Sequence, residues 1–296
     1  MRTDSVLCLG AKGFHRMHYV DWGDPAAERI AVCVHGLTRN GRDFDTLAEA
    51  LQPEFRVVCP DVVGRGKSDW MQAKEEYAYP QYCADMTALI ARVTASTSGS
   101  VRQVYWVGTS MGGIIGMLLA SRPNTPISRL VLNDVGPWIP KAALERLATY
   151  VGKDPRYRTL EEVEAYVRFV SASFGPLTNE QWRHLTLHSA KQHPDGSWGM
   201  NYDPGIGLPL QQSPLTDVDL WPYWDSITCP TLLLRGAQSD LLLKGTATAM
   251  SRRGPQPRLV EFEGVGHAPM LMADDQIKAV RDFLLTQGLP PSPTAS

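Results

Sequence analysis

Three runs in the first half of the chain, Arg29–His35 (RIAVCVH), Phe55–Asp61 (FRVVCPD) and Val104–Thr109 (VYWVGT), are nearly continuous in apolar residues. A strand apolar at almost every position needs cover on both faces, and a mostly parallel sheet with crossover helices provides it. The intervening stretches supply those helices. Phe44, Leu47, Ala48 and Leu51 fall at i, i+3, i+4 and i+7. Tyr82, Met86, Leu89, Ile90 and Val93 follow Pro80 at near-helical spacing, and a third helix starts at Met111 and stops before Pro123. With Phe14–Trp22 and Ser128–Asp134 as further strands, the expectation is an α/β fold: a mostly parallel central sheet flanked by helices.

The alternation stops at Pro137 and resumes at Cys229. Between them helix signals dominate. Thr159 with Glu162 and Thr178 with Gln181 have the form of capping boxes, and Val163, Tyr166, Val167, Val170 and Phe174 make one apolar stripe. Five of the eight tryptophans (Trp138, Trp182, Trp198, Trp221 and Trp224) lie in this stretch, and HPDGSW (His193 to Trp198) carries the Asp-Gly signal of a tight turn. Beyond it, Pro230–Gly236 and Arg258–Glu263 read as strands, Lys244–Arg252 and Ala273–Gln287 as helices. The organisation is one body, residues 1–136 and 225–288, interrupted by a helical cap at 137–224. The Pro- and Ser-rich tail 289–296 is expected to be disordered.

Composition narrows the partners. With 296 residues, 43% hydrophobic and 20% charged, the chain has a globular make-up, and a formal charge of −2 gives no electrostatic reason to bind nucleic acid or an anionic membrane. The longest apolar run, Gly112 to Ala120, is far short of a membrane span, and no signal peptide is expected. Five widely spaced cysteines (Cys8, Cys33, Cys59, Cys83, Cys229) without a C-x-x-C read as reduced thiols of a cytoplasmic protein. Nothing in the sequence sets the oligomeric state.

The sharpest chemical signal is Gly108-Thr109-Ser110-Met111-Gly112, a G-x-S-x-G between an apolar strand and the helical run GGIIGMLLAS. A serine on such a turn has its hydroxyl lifted out of the sheet, and the same turn aims the Met111 backbone N–H at whatever the hydroxyl attacks. Serine needs a base, and His267 in GVGHAP, just past the strand LVEFEG, sits where open α/β sheets present their chemistry. The imidazole needs a carboxylate to fix its tautomer. Asp240 in RGAQSDLL is favoured over its rival Asp134 in LVLNDVG, because the acid commonly follows the penultimate strand. A second oxyanion donor is expected at Leu37 in His35-Gly36-Leu37-Thr38, with His35 organising that loop. Arg39 is a candidate for holding a substrate carboxylate, and Trp138 for facing the pocket. His184, His188 and His193 have no carboxylate or cysteine at ligand spacing in the sequence, so no metal is assigned.

Together these residues resemble the α/β-hydrolase superfamily over nearly the whole chain, from about Phe14 to Gln287. His35-Gly36 is similar to its oxyanion-loop motif, DVVGRGKS (Asp61 to Ser68) to its post-strand loop, and Gly108 to Gly112 to its nucleophile elbow. Asp240 and His267 match its acid and base positions, and Pro137 to Trp224 its helical cap. A serine at the elbow, where an aspartate would attack directly, weighs against dehalogenase and epoxide-hydrolase chemistry. The missing HGGG loop and missing extra glycine weigh against some lipases and C–C hydrolases.

The resemblance implies a serine carboxylesterase-like enzyme without a cofactor, acting on a small-molecule ester with a small to medium acyl chain. Oligomers of hydroxy acids and enol-lactones also fit. The alternatives are C–C hydrolysis on the same residues, or a ligand-sensing protein with slow turnover.

Overall fold

The computed structural model describes residues 1–95, 102–212 and 214–286. The body is built from β1 (Arg2–Gly10), β2 (Gly13–Trp22), β3 (Arg29–Val34), α1 (Asp45–Leu51), β4 (Arg56–Pro60), α2 (Tyr79–Thr94), β5 (Gln103–Thr109), α3 (Met111–Ala120) and β6 (Ile127–Asn133). There follow β7 (Trp138–Ile139), α4 (Lys141–Ala148), α5 (Leu160–Val170), α6 (Asn179–Ser189), β8 (Ala190–Gln192), β9 (Trp198–Met200), β10 (Val218–Asp219) and α7 (Trp221–Asp225). The body then resumes with β11 (Thr231–Gly236), α8 (Lys244–Met250), β12 (Arg258–Phe262) and α9 (Asp274–Leu285).

Eight strands form one sheet in the order β1-β2-β4-β3-β5-β6-β11-β12. β1/β2 and β2/β4 are antiparallel, and the remaining pairs are parallel. β5, which leads into Ser110, is therefore an inner strand. Side-chain alternation covers both faces. Ile30, Val32 and Val34 of β3 join Trp106, Met86 and Ile115 in one core, whereas Ala31 and Cys33 join Leu47, Leu51, Val280 and Phe283 in the other. Each fully buried Leu, Val or Phe in such a core contributes about 1.5–3 kcal/mol, which is why continuous apolar runs form these strands.

The seven strands expected from the sequence appear within one residue at each end. β1 was not expected. Its inward positions, Val6, Cys8 and Gly10, alternate with exposed ones, and that period of two is carried by few apolar residues at the edge of the sheet. The stretch between β6 and β11 is not helical alone: β7 pairs with β10 and β8 with β9, the latter closed by the turn at His193–Ser197. Thr178 and Gln181 complete a capping box on α6. Thr159 caps α5 by accepting from the Glu162 N–H, while the Glu162 side chain turns to the Arg158 N–H. The tail at 289–296 lies outside the described residues. All five cysteines are free thiols, and among the described residues no helix is long and apolar enough to cross a membrane.

Candidate active site

The strand–turn–helix at Ser110 is forced by its neighbours. Ser110 sits at φ 52° and ψ −115°, a backbone region that a residue with a side chain occupies only under constraint. The turn is so tight that a Cβ on Gly112 would run into the Val34 carbonyl, and one on Gly108 into the Gly112 carbonyl. Only glycine fits at either place. The Gly112 carbonyl also accepts from the Trp106 indole at 2.9 Å, and the Ser110 N–H donates to the Asn133 carbonyl at 3.0 Å, pinning the turn from both sides.

His267 reaches this serine from the loop after β12. Its Nε2 lies 3.0 Å from Ser110 Oγ, and its Nδ1 lies 2.7 Å from Asp134 Oδ2. Asp134 is wholly buried at the carboxyl end of β6, with φ 54°. Its Oδ1 accepts from the Gly236 N–H at 2.9 Å and its Oδ2 from Ser239 Oγ at 2.6 Å. With its carboxylate so held, the His267 proton is placed on Nδ1 and Nε2 is left to accept from serine.

The expectation for Asp240 does not match this geometry. Its side chain is 52% exposed and paired with Arg146 of α4, with Arg146 Nε to Oδ2 at 2.5 Å. It stands past the end of β11, where the loop carries it outward, while the turn after β6 carries Asp134 inward. Asp134, the rival carboxylate, occupies the place beside the histidine.

The loop after β3 is set by His35. Fully buried, its imidazole is pushed down to about 4 by burial, so it is neutral near pH 7. Its Nδ1 meets the Gly36 carbonyl at 2.7 Å, and its Nε2 accepts from the Val62 N–H at 2.9 Å. The Gly36 carbonyl and the Leu37 N–H belong to one planar peptide and point opposite ways, so this bond also aims the Leu37 N–H. Arg65, fully buried, secures the next peptide by donating from Nε to the Leu37 carbonyl at 2.9 Å, and reaches Met111 Sδ at 3.5 Å. The N–H groups of Leu37 and Met111 donate to no acceptor among the described residues.

Asp61 and Arg65 in DVVGRGKS thus work as loop organisers. Burial raises the Asp61 carboxyl, but bonds from His18 and the Lys67 and Gly41 N–H groups outweigh it and hold it below the ordinary carboxylate range.

Ser110 lies where two cavities meet. One, about 490 Å³, is lined by Met111, Leu37, Ile114, Leu118, Leu144 and Leu220 among others. The other, about 80 Å³, holds His267, Thr38, Arg39 and Asp43, with Arg146, Val167, Val170 and Phe174 from the insertion. The C-terminal end of the stripe, Val167 and Val170 of α5 with Phe174 beyond it, therefore faces the site. Arg39 lines the small cavity, with Nε and Nη2 on Asp43 at 2.8 and 2.6 Å and Nη1 on Ser189 Oγ at 2.9 Å. Trp138 does not line either cavity. It alternates with its neighbour Ile139, and Ile139 faces the large cavity.

Several positioning residues carried no sequence signal. Ser239 and Gly236 hold Asp134. Ser173, from the insertion, donates to the His267 carbonyl at 2.6 Å and accepts from the Gly266 N–H at 2.6 Å. Asn133 bridges Thr109 and the Pro269 carbonyl. Asp45, far from His184 in sequence, is brought near it by the fold, with its Oδ2 3.5 Å from His184 Nε2. Asp45, His184 and His188 form one cluster of ligand-type atoms, and Cys8, His15 and Asp85 another. In each the carboxylate is already engaged, by Arg42 and by His15.

Comparison with known proteins agrees with this architecture. The family model described as the alpha/beta hydrolase family matches residues 31–280. The chain is 47% identical to a 3-hydroxybutyrate-oligomer hydrolase of Cupriavidus necator, over 95% of this chain and 97% of that protein. It is 24% identical to a 2-(acetamidomethylene)succinate hydrolase of Mesorhizobium japonicum, over 84% and 86% of the two chains. The crystal structure of an alpha/beta hydrolase from Novosphingobium aromaticivorans superposes with a TM-score of 0.82 at 33% identity, over 95% of this chain and 98% of that one. The chain is an enzyme and belongs to the alpha/beta hydrolase family.

Proposed function

We propose that this hydrolase cleaves carboxylic esters through Ser110, His267 and Asp134, and that its substrates are short oligomers of 3-hydroxybutyrate or closely similar hydroxy acids. The observation that carries the chemistry is the chain of hydrogen bonds from Asp134 through His267 to Ser110 Oγ, at 2.7 and 3.0 Å, opening on two cavities. The 47% identical relative supports the substrate class.

In this reading His267 Nε2 takes the Ser110 proton as Oγ attacks the ester carbonyl. The Leu37 and Met111 N–H groups hold the oxyanion, and the histidine returns its proton to the leaving alkoxide. Water then attacks the acyl-enzyme with His267 again as base, and Asp134 stabilises the imidazolium in both halves. The insertion 137–224 serves as a cap, supplying apolar walls and, through Ser173, support for the His267 loop.

Hydrolysis of 3-hydroxybutyrate dimer, trimer and tetramer, beside p-nitrophenyl esters from acetate to dodecanoate, tests the reading. Wild-type protein should cleave the oligomers, and Ser110→Ala should lose several orders of magnitude in kcat while its circular dichroism is unchanged. A Ser110→Ala protein that keeps most of the activity removes the serine mechanism. A wild type inert toward every ester, with Ser110 still labelled by a fluorophosphonate, moves the assignment to C–C cleavage, a narrow lactone substrate or ligand sensing.

A further inference from the structure

His267 lines the small cavity and not the large one, whereas Met111 lines the large cavity and not the small one. That asymmetry orients the scissile bond. The oxygen that leaves must lie within reach of His267 Nε2, because that nitrogen delivers its proton, and the carbonyl oxygen must point at the Leu37 and Met111 N–H groups. The alcohol portion of the ester therefore extends into the small cavity and the acyl portion into the large one. The acyl side is the roomier of the two, about 490 against about 80 Å³.

They also differ in chemistry. Two arginines, Arg39 and Arg146, line the small cavity. Asp43 faces the same cavity, but both its oxygens accept from Arg39 Nε and Nη2. Ser189 takes one Nη1 proton, so two of the five N–H bonds of Arg39 remain without an acceptor among the described residues. Arg146 is paired with Asp240, which does not line the cavity. The large cavity is walled by Leu, Ile, Tyr and Pro side chains and is suited to a neutral chain of ester units. In a linear hydroxy-acid oligomer only the last unit at the carboxyl end carries a carboxylate before the cut, and that unit is the one released as the alcohol.

Resting on the ester-hydrolase reading above, we infer that the enzyme shortens oligomers from their carboxyl end, one hydroxy acid per acyl-enzyme cycle. The terminal carboxylate is held by Arg39 and the remaining units lie as the acyl group in the large cavity. The balance is that of a hydrolysis. Ser110 Oγ bonds to the penultimate carbonyl carbon, the carbon–oxygen bond to the last unit breaks, and the serine proton passes through His267 to that unit's oxygen. Water then supplies a hydroxyl to the acyl carbon and a proton that returns to Ser110 through His267. The products are one free 3-hydroxy acid and an oligomer one unit shorter, which carries a new carboxylate for the next cut.

The test is early product analysis of wild-type enzyme acting on a 3-hydroxybutyrate tetramer deuterated only in its carboxyl-terminal unit. The expected first products are deuterated monomer and unlabelled trimer. Dimer as a first product, or unlabelled monomer from the hydroxyl end, overturns the orientation while leaving ester hydrolysis intact. No cleavage of any oligomer, with simple esters still cleaved, removes the substrate assignment itself and this inference with it.

A second readout isolates Arg39. In the wild type, methylation of the carboxyl end should raise KM for the trimer about tenfold or more with a smaller change in kcat. Arg39→Gln should collapse that KM ratio toward one. An unchanged ratio in the variant contradicts the role given to Arg39.

Discussion

The carboxyl rims of two neighbouring parallel strands, β6 and β11, each lead to an aspartate, and the two fates show what strand position alone leaves undecided. After β6, Asp134 turns inward at positive φ, is wholly buried, and accepts from Gly236, Ser239 and His267. After β11, Asp240 stands further along its loop, is half exposed, and accepts from Arg146 of the insertion. Adjacent parallel strands lie about 4.8 Å apart, so either rim is close enough to serve one histidine. The choice is made by loop direction and by the donors waiting for the carboxylate. Here β11 supplies donors, Gly236 and Ser239, to the aspartate of β6.

Four perturbations sharpen this contrast, from the largest expected effect to the smallest. His267→Ala removes the group that the β6 rim serves and should lower kcat by about 10⁵-fold or more, to the level supported by the oxyanion donors and binding alone. A loss under a hundredfold, measured on the same ester, would show that another base can serve.

Ser239→Ala withdraws one donor from the Asp134 oxygen that also accepts from His267, and kcat should fall about tenfold. No change in kcat would mean that the β11 loop does not support the β6 carboxylate.

The site's other buried imidazole acts on stability. Burial holds His35 at about 4 against an ordinary 6.5, so between those pH values the unfolded chain binds a proton that the folded chain refuses. Stability should therefore be fully present above pH 6.5 and fall as pH drops toward 4, by on the order of 3 kcal/mol from this group. His188, lowered to about 4 chiefly by burial, acts in the same direction. Urea unfolding at a series of pH values checks the slope, and stability that is flat from pH 7 to pH 4.5 would contradict it.

The smallest effect belongs to the β11 rim. Arg146→Ala should change kcat/KM by a few-fold, and in a double-mutant cycle with Asp240→Asn the coupling should stay under about 1 kcal/mol, as for other part-exposed ion pairs. Coupling of several kcal/mol would make this pair a structural fastening of the insertion.

Much of the fold was legible because it is written in periodicity. The apolar runs of β3, β4 and β5 must be buried on both faces, and the glycines around Ser110 can be nothing else where backbone meets backbone. The meeting of Ser110 with His267, beside the loops that carry the Leu37 and Met111 N–H groups, was legible for the same reason, since each sits at a fixed place relative to a strand end. The carboxylate was not. Its identity depends on which of two loops turns inward, and the donors that meet the Asp134 carboxylate, Gly236 and Ser239, lie far along the chain. Contacts between the insertion and the body, such as Ser173 on the His267 loop or Asp45 beside His184, join residues with no periodic relation. Trp138 was misplaced by proximity in sequence. In a two-residue strand one step of alternation sends Ile139 to the cavity instead.

The measurement that bears most directly on the account is kcat for Asp134→Asn and Asp240→Asn side by side, on one ester at one pH. Both variants should stay folded, as judged by circular dichroism and thermal melting. The account predicts that Asp134→Asn loses about 10³- to 10⁴-fold, because the histidine loses the carboxylate that fixes its tautomer, while Asp240→Asn stays within about fivefold of wild type. The reverse ranking would contradict it and return the acid's role to the β11 rim.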